Sequence, residues 1–263
     1  MNSRVAIKTV FAAKYGNAAI EYEDAFFPDS GSYDITGIRC AVCDGATEAA
    51  FSGSWARHLA RSFGQSGLQL SAHQEIGIIE ESIDEFLGVA REKWISTIDR
   101  SSLPWYAEEQ LDRGAFATLV GMQFTLPATE KAGIWTSVAV GDSCLFQVRQ
   151  GSLWARFPLT QSDQFNTSPY LISSKKEPGD DIAGHLSFTS RELELNDTFY
   201  LMTDAISCWF LKQVEVGGAP WELLDPILEG KDSLDSLLDQ LRREREIRND
   251  DVTVMRIQIV VEQ

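Results

Sequence analysis

The chemistry-bearing residues of this chain are carboxylates set at the ends of apolar runs. Glu23-Asp24 interrupts AIEYEDAFF, Asp44 closes AVCDG, Asp142 closes VAVGDS, Asp204 closes FYLMTDA, and Asp250-Asp251 opens NDDVTVMRI. A carboxylate beside a buried apolar run is costly unless it is paired, hydrogen-bonded or bound to metal. Taken singly, each of these is an ordinary turn-former or helix cap. Taken together, they come from distant parts of the chain, and at one end of a sheet stack they would repel one another. Divalent cations relieve that repulsion, and an all-oxygen donor set favours hard ions.

The elements that must position these groups follow from hydrophobic periodicity. Strands are expected in RVAIKTVFAA, AIEYEDAFF and ITGIRCAVC, the last stopping at Asp44-Gly45. Residues 46–66 and 73–99 carry apolar side chains at helical spacing. A second strand series starts at Gly114 and runs through GAFATLVGMQF, GIWTSVAVGD, CLFQVRQ and SLWARFP, with a hairpin turn at Gln150-Gly151. Further strands are expected at 185–190, 197–203 and DVTVMRIQIVV, and helical segments within 219–246. This order lacks the regular alternation of a doubly wound sheet and predicts an α+β fold with antiparallel sheets and segregated helices. One domain is expected over residues 1–263.

The ordered set Glu23-Asp24, Asp44-Gly45, Gly114 through Thr118, Gly141-Asp142-Ser143, Thr203-Asp204 and Asp250-Asp251-Val252-Thr253 resembles the type-2C (PPM), metal-dependent serine/threonine protein phosphatases of bacterial type, over nearly the whole chain. The resemblance implies two central antiparallel β-sheets packed face to face and flanked by helices on both sides. It implies that Asp44 bridges two Mg²⁺ or Mn²⁺ ions. Glu23 and the Gly45 carbonyl would serve one ion, with Asp24 beside it, and Asp204 and Asp250 the other. Asp142, together with Asp204, would hold a weaker third. Asp44, Asp204 and Asp250 are thereby the implied catalytic set. The activity implied is hydrolysis of phosphoserine or phosphothreonine in a protein, by a water that bridges the two ions, with no phosphoenzyme.

The chain departs from that family at three places. Ala19 stands where members carry a phosphate-binding Arg, Ala46-Thr47-Glu48 lacks the His and Gly pair, and Ala205 replaces a Gly. Lys14, Arg39 and Arg57 are candidates to supply the missing cation. These gaps motivate a second reading, a phosphatase-fold module with weak or no turnover that binds a kinase or other regulatory partner. A third reading is hydrolysis of a small phosphorylated molecule. The polar segment 160–184, rich in Ser, Pro, Asp and Gly, falls where the family carries a flap beside the active site; it reads equally as a substrate-selecting flap or as an ordinary surface loop.

Composition removes other classes. With 23 Lys plus Arg against 39 Asp plus Glu, the net charge of −16 argues against nucleic acid or an anionic membrane as partner. The N-terminal MNSRVAIKTVFAAKYGN lacks a long apolar core followed by a cleavage signal, so no secretory signal is expected, and no run of about 20 apolar residues suggests a membrane span. The 4 cysteines fit a reducing cytoplasm, and a cytoplasmic monomer is the expectation. Cys40 and Cys43 lie three apart in a strand, so they should point to opposite faces as buried thiols rather than form a metal or redox pair. His58 and His73 are expected on helices, away from chemistry. No nucleophile elbow, Walker A or GxGxxG motif occurs.

Overall fold

The computed structural model describes residues 3–46, 50–125, 133–166, 168–176 and 182–261. Thr47 and Glu48, and part of the 160–184 segment, lie outside the described residues. The chain runs through β1 (Ser3–Ala12), β2 (Ala25–Phe27), β3 (Gly31–Asp34), β4 (Arg39–Cys43), α1 (Ser52–Gln65), α2 (Ile76–Ser96) and α3 (Trp105–Arg113). There follow β5 (Phe116–Ala117), β6 (Leu119–Thr125), β7 (Gly133–Val140), β8 (Cys144–Arg149), β9 (Ser152–Phe157), β10 (Ile172–Ser173), β11 (Leu186–Leu193) and β12 (Thr198–Met202). The last elements are α4 (Asp204–Glu215), α5 (Trp221–Leu228), α6 (Leu234–Arg243) and β13 (Val252–Val261).

Two antiparallel sheets form the centre. One has six strands in the order β3-β1-β13-β12-β8-β9, the other five in the order β11-β7-β6-β4-β2. Period-2 alternation assigns each strand's two faces. In β13, Met255, Ile257 and Ile259 enter the layer between the sheets with Val5, Ile7, Leu145 and Leu201, while Val252 and Val254 face the helices. In β4, Cys40 and Val42 enter the inter-sheet layer, whereas Ala41 and Cys43 face α1 and α2. The two thiols therefore lie on opposite faces, as their spacing requires, and both are fully buried.

Helices cover each outer face. Trp55, Leu59 and Phe63 of α1 pack with Ile79, Ile83, Leu87 and Trp94 of α2 on the five-stranded sheet. Ile206, Trp209 and Phe210 of α4, with Leu224 of α5 and Leu238 of α6, cover the six-stranded sheet. Each such side chain contributes about 1.5–3 kcal/mol on burial. Four layers result, helices–sheet–sheet–helices, the α+β arrangement expected from the element order.

Several local expectations change. Residues 19–21 of AIEYEDAFF form a 3₁₀ turn, and only Ala25–Phe27 pairs as a strand, with β4. The acid–apolar alternation there reflects a loop wrapped over the sandwich end rather than a half-buried strand. GAFATLVGMQF is split between β5 and β6. The helix expected over 73–99 starts at Ile76, so His73 precedes it in a turn. The turn at Gln150-Gly151 is a two-residue hairpin with both φ positive, 50° and 73°.

Candidate active site

Strand register brings the acidic motifs to one end of the sandwich. Ala25 pairs with Cys43, Leu119 with Val140, Met202 with Cys144, and Met202 with Val254. Asp24, Asp44, Asp142, Asp204 and Asp250 follow or precede those positions by one to four residues, so all five lie at the same edge.

The backbone around them is fixed by a small hydrogen-bond lattice. Thr118 N–H donates to the Asp44 carbonyl at 2.8 Å, and Asp44 N–H donates to Thr118 Oγ1 at 3.0 Å. Thr118 Oγ1 also meets Ser143 Oγ at 2.6 Å, which ties the Asp44 loop to the β7–β8 turn that carries Asp142. Gly141, in that turn, has φ +94°, and a Cβ there would stand 2.6 Å from Thr118 Cγ2. Its place in the motif is thus doubly required, by backbone conformation and by close approach. Across the site, Thr253 N–H donates to Thr203 Oγ1 at 3.0 Å, and Thr253 Oγ1 donates to Asp24 Oδ2 at 2.8 Å and also contacts Tyr22 Oη.

The carboxyls perturb one another. Burial raises the proton affinity of Asp44, and the charges of Asp24, Asp204, Asp250 and Asp142 raise it further. Asp24 is raised chiefly by burial, against the Thr253 hydrogen bond, with Asp251 and Asp204 adding to the rise. Asp142 is pushed up to about 7, by burial first and by Asp204 second. Asp204 is raised by burial and by Asp250, while Arg248 works in the opposite direction. Among the described residues, the carboxylate oxygens Asp24 Oδ1, Asp142 Oδ2 and Asp204 Oδ1 are buried and find no hydrogen-bond partner, and the Asp204 carboxyl interacts with that of Asp44. Buried, partnerless carboxylate oxygens at one end of the sandwich are what a hard cation satisfies.

The cluster is open rather than a closed cage: among the described residues, no three His, Cys, Asp or Glu side chains stand close enough to enclose an ion on their own. Mg²⁺ tolerates this, since it keeps several waters and takes one or two carboxylates. Glu23 joins the edge beside Gly45. A Cβ on Gly45 would come within 2.7 Å of the Glu23 carbonyl oxygen, and one on Gly53 within 3.5 Å of Glu23 Cβ.

Of the three candidate cations, Arg39 points away: its guanidinium donates to the Leu68 carbonyl at 2.6 and 3.0 Å. Lys14 and Arg57 line an open groove with Tyr22, Glu23 and Gly53 at the edge of the acidic cluster. The residue that reaches a site carboxylate is another one, Arg248, whose guanidinium is ion-paired with Asp204 Oδ2. Its sequence neighbourhood, RREREIRND, is mixed in charge and gives no signal for this role. The described part of 160–184 includes a 3₁₀ turn at Ser162–Gln164, where Ser162 is anchored by Glu215 of α4, and the short β10, which pairs with β5. Tyr170 stacks on His185 at 3.8 Å.

Solved structures share this architecture. The Mycobacterium tuberculosis serine/threonine phosphatase PstP/Ppp superposes with a TM-score of 0.58 at 13% identity, over 97% of this chain and 98% of that one. The photosystem II phosphatase PBCP gives 0.57 at 16% identity, over 97% and 99%. The catalytic domain of PstP in complex with two manganese ions gives 0.55 at 13% identity, over 98% and 100%. The chain has the type-2C phosphatase fold. No family model matches its sequence, and no curated protein sequence matches it either. The type-2C frame therefore rests on three-dimensional likeness together with the acidic edge described above. No helix among the described residues is long and apolar enough to cross a membrane.

Proposed function

We propose that this chain is a metal-dependent phosphoprotein phosphatase acting on phosphoserine or phosphothreonine in the cytoplasm. The observation that carries this reading is the gathering of Asp24, Asp44, Asp142, Asp204 and Asp250 at one end of the sandwich, with partnerless buried oxygens on Asp24, Asp142 and Asp204. Asp44, which feels the charges of Asp24, Asp204, Asp250 and Asp142, suits a bridging role; Glu23 and the Gly45 carbonyl would serve one ion, and Asp204 and Asp250 the other. When bound, two Mg²⁺ or Mn²⁺ ions would supply an activated water and clamp the phosphate oxygens for in-line displacement. Asp142, with its own orphaned oxygen, suits a weaker third ion. Thr118 and Ser143 hold the Asp44 backbone in place, and the Thr253 hydroxyl fixes Asp24 Oδ2 while the other oxygen of that carboxyl is left without a partner. Lys14 and Arg57, in the groove beside Glu23, suit an anionic substrate.

Hydrolysis of p-nitrophenyl phosphate with Mn²⁺, Mg²⁺ or EDTA, beside Asp44→Asn, tests the reading. Manganese-dependent turnover that falls at least about 100-fold in Asp44→Asn is the expected result. Turnover that persists in EDTA, or ignores the substitution, would overturn it.

Ala19 and the Arg248–Asp204 pair favour a second reading, a module of the same fold with little turnover that binds a kinase or another regulatory partner. Metal binding by calorimetry without phosphopeptide hydrolysis would select it.

A further inference from the structure

The acidic edge carries a cation of its own. Arg248 lies in the segment between α6 and β13, and its side chain is half exposed, while that of its partner Asp204 is 11% exposed. The guanidinium takes Asp204 Oδ2 and lowers the proton affinity of both Asp204 and Asp142. Its backbone is pinned on either side. Ile247 is buried in the core under α4 and α6. The Asn249 side chain exchanges two hydrogen bonds with the backbone of Tyr15, at 2.7 and 3.1 Å. The main chain is therefore held while the long side chain can swing into water.

We propose that Arg248 competes with the divalent ion at Asp204: it neutralises that carboxylate in the metal-free protein and opposes ion binding there. The proposal rests on the two-metal reading given above. The sign follows from charge. An ion on Asp204 has two possible relations to Arg248. Either the guanidinium leaves and the charge-assisted pair is lost, or it stays within a few ångströms of a doubly charged ion, where repulsion in a partly buried site is large. Both oppose binding. A neutral donor in place of Arg248 removes both.

Calorimetric titration of Mn²⁺ into the intact chain, into Arg248→Gln and into Arg243→Gln is the test. Arg243 is an exposed arginine of α6 whose guanidinium donates to the Asp239 carbonyl, so it controls for a general loss of positive charge. Arg248→Gln is expected to bind Mn²⁺ about ten-fold more tightly and Arg243→Gln within about two-fold of the parent, the exposed charge being screened. The gain must vanish in the Asp204→Asn background. Parent-like or weaker binding in Arg248→Gln, or a gain equal to that of Arg243→Gln, overturns the competition and leaves the two-metal reading standing. Absence of binding in both the parent and Arg248→Gln, with both folded by circular dichroism, overturns the two together. Should Arg248→Gln not fold, Arg248→Ala, which likewise removes the charge at this half-exposed position, is expected to bind Mn²⁺ more tightly than the parent, and binding no tighter than the parent overturns the proposal.

Discussion

Asp251 accepts the backbone N–H of Glu23 at 2.7 Å on one carboxylate oxygen and that of Lys14 at 2.8 Å on the other. The residue next to a candidate ligand, Asp250, is thus a fastener. It ties the loop between β1 and β2, which carries Glu23 and Asp24, to the start of β13. Two adjacent aspartates divide the work: the charge of Asp250 raises the proton affinity of Asp44 and Asp204, and Asp251 sets the loop.

Asp251→Ala removes both acceptors and leaves two amides to find water. A loss of about 2–4 kcal/mol is expected in urea unfolding, from two charge-assisted hydrogen bonds. Mn²⁺ affinity should weaken as well, since Glu23 and Asp24 lose their anchor. Unchanged stability would show that the loop is held elsewhere.

Thr118→Val keeps the shape of the side chain and removes the oxygen shared by Asp44 N–H and Ser143 Oγ. Stability should fall by about 1–3 kcal/mol, because a buried donor is left unmet. Because Asp44 loses its backbone clamp, Mn²⁺ binding measured by calorimetry should weaken in parallel.

Gly45→Ala places a methyl 2.7 Å from the Glu23 carbonyl oxygen and 2.9 Å from the Ser52 carbonyl carbon, both backbone atoms that cannot rotate away. A cost of about 1–3 kcal/mol is expected from overpacking, read as a lowered Tm. Gly67→Ala, where a Cβ meets nothing within 4 Å, is the matched control and should leave Tm within about a degree.

The metal-free protein should lose stability as pH rises. Asp142 holds its proton up to about 7 in the fold, well above the value of an unfolded aspartate. Between about pH 4 and pH 7 the folded state therefore binds more protons than the unfolded chain, so its contribution is complete at the acid end and is lost on passing 7. Asp24, Asp44 and Asp204 are raised too and act in the same direction. Glu229 moves the other way, lowered to about 2 by Lys8 and Arg256; its contribution is complete above its unfolded pKa and is lost only as pH falls below it, so it does not change between pH 5 and pH 8. Thermal melts in EDTA at pH 5 and pH 8 should differ by about 2–4 kcal/mol more for the parent than for Asp142→Asn. Mn²⁺ should restore most of the loss at pH 8, by mass action on the folded state.

The sequence and the structure agree best where burial writes a pattern. β13 and β1 were legible because their residues alternate between two apolar faces, and Asp44, Asp142 and Asp204 because each ends such a run. Elements whose pattern is ambiguous carry no such mark. α4 follows directly after β12 and is apolar on most sides, since Ala205, Ile206, Trp209, Phe210 and Leu211 are all buried, so no narrow apolar stripe marks it as a helix. α3 buries only Leu111 and has almost no apolar stripe. The stretch AIEYEDAFF alternates for a different reason, its acids being set by the site rather than by a pleat. Arg248 was invisible because an ion pair between residues 44 positions apart leaves no trace in local composition.

β13 is the last strand in the chain order, yet it sits inside the six-stranded sheet, between β1 and β12, and pairs with β1 over ten residues from Ser3–Val261 to Ala12–Val252. During synthesis, the earlier strands must wait with a gap in their middle until residues 252–261 leave the ribosome. The same late segment brings Arg248, Asp250 and Asp251. Sheet closure, loop fastening and assembly of the acidic edge are thus one event in time, and a ribosome-bound chain stalled before residue 248 would carry neither the finished sheet nor the complete site.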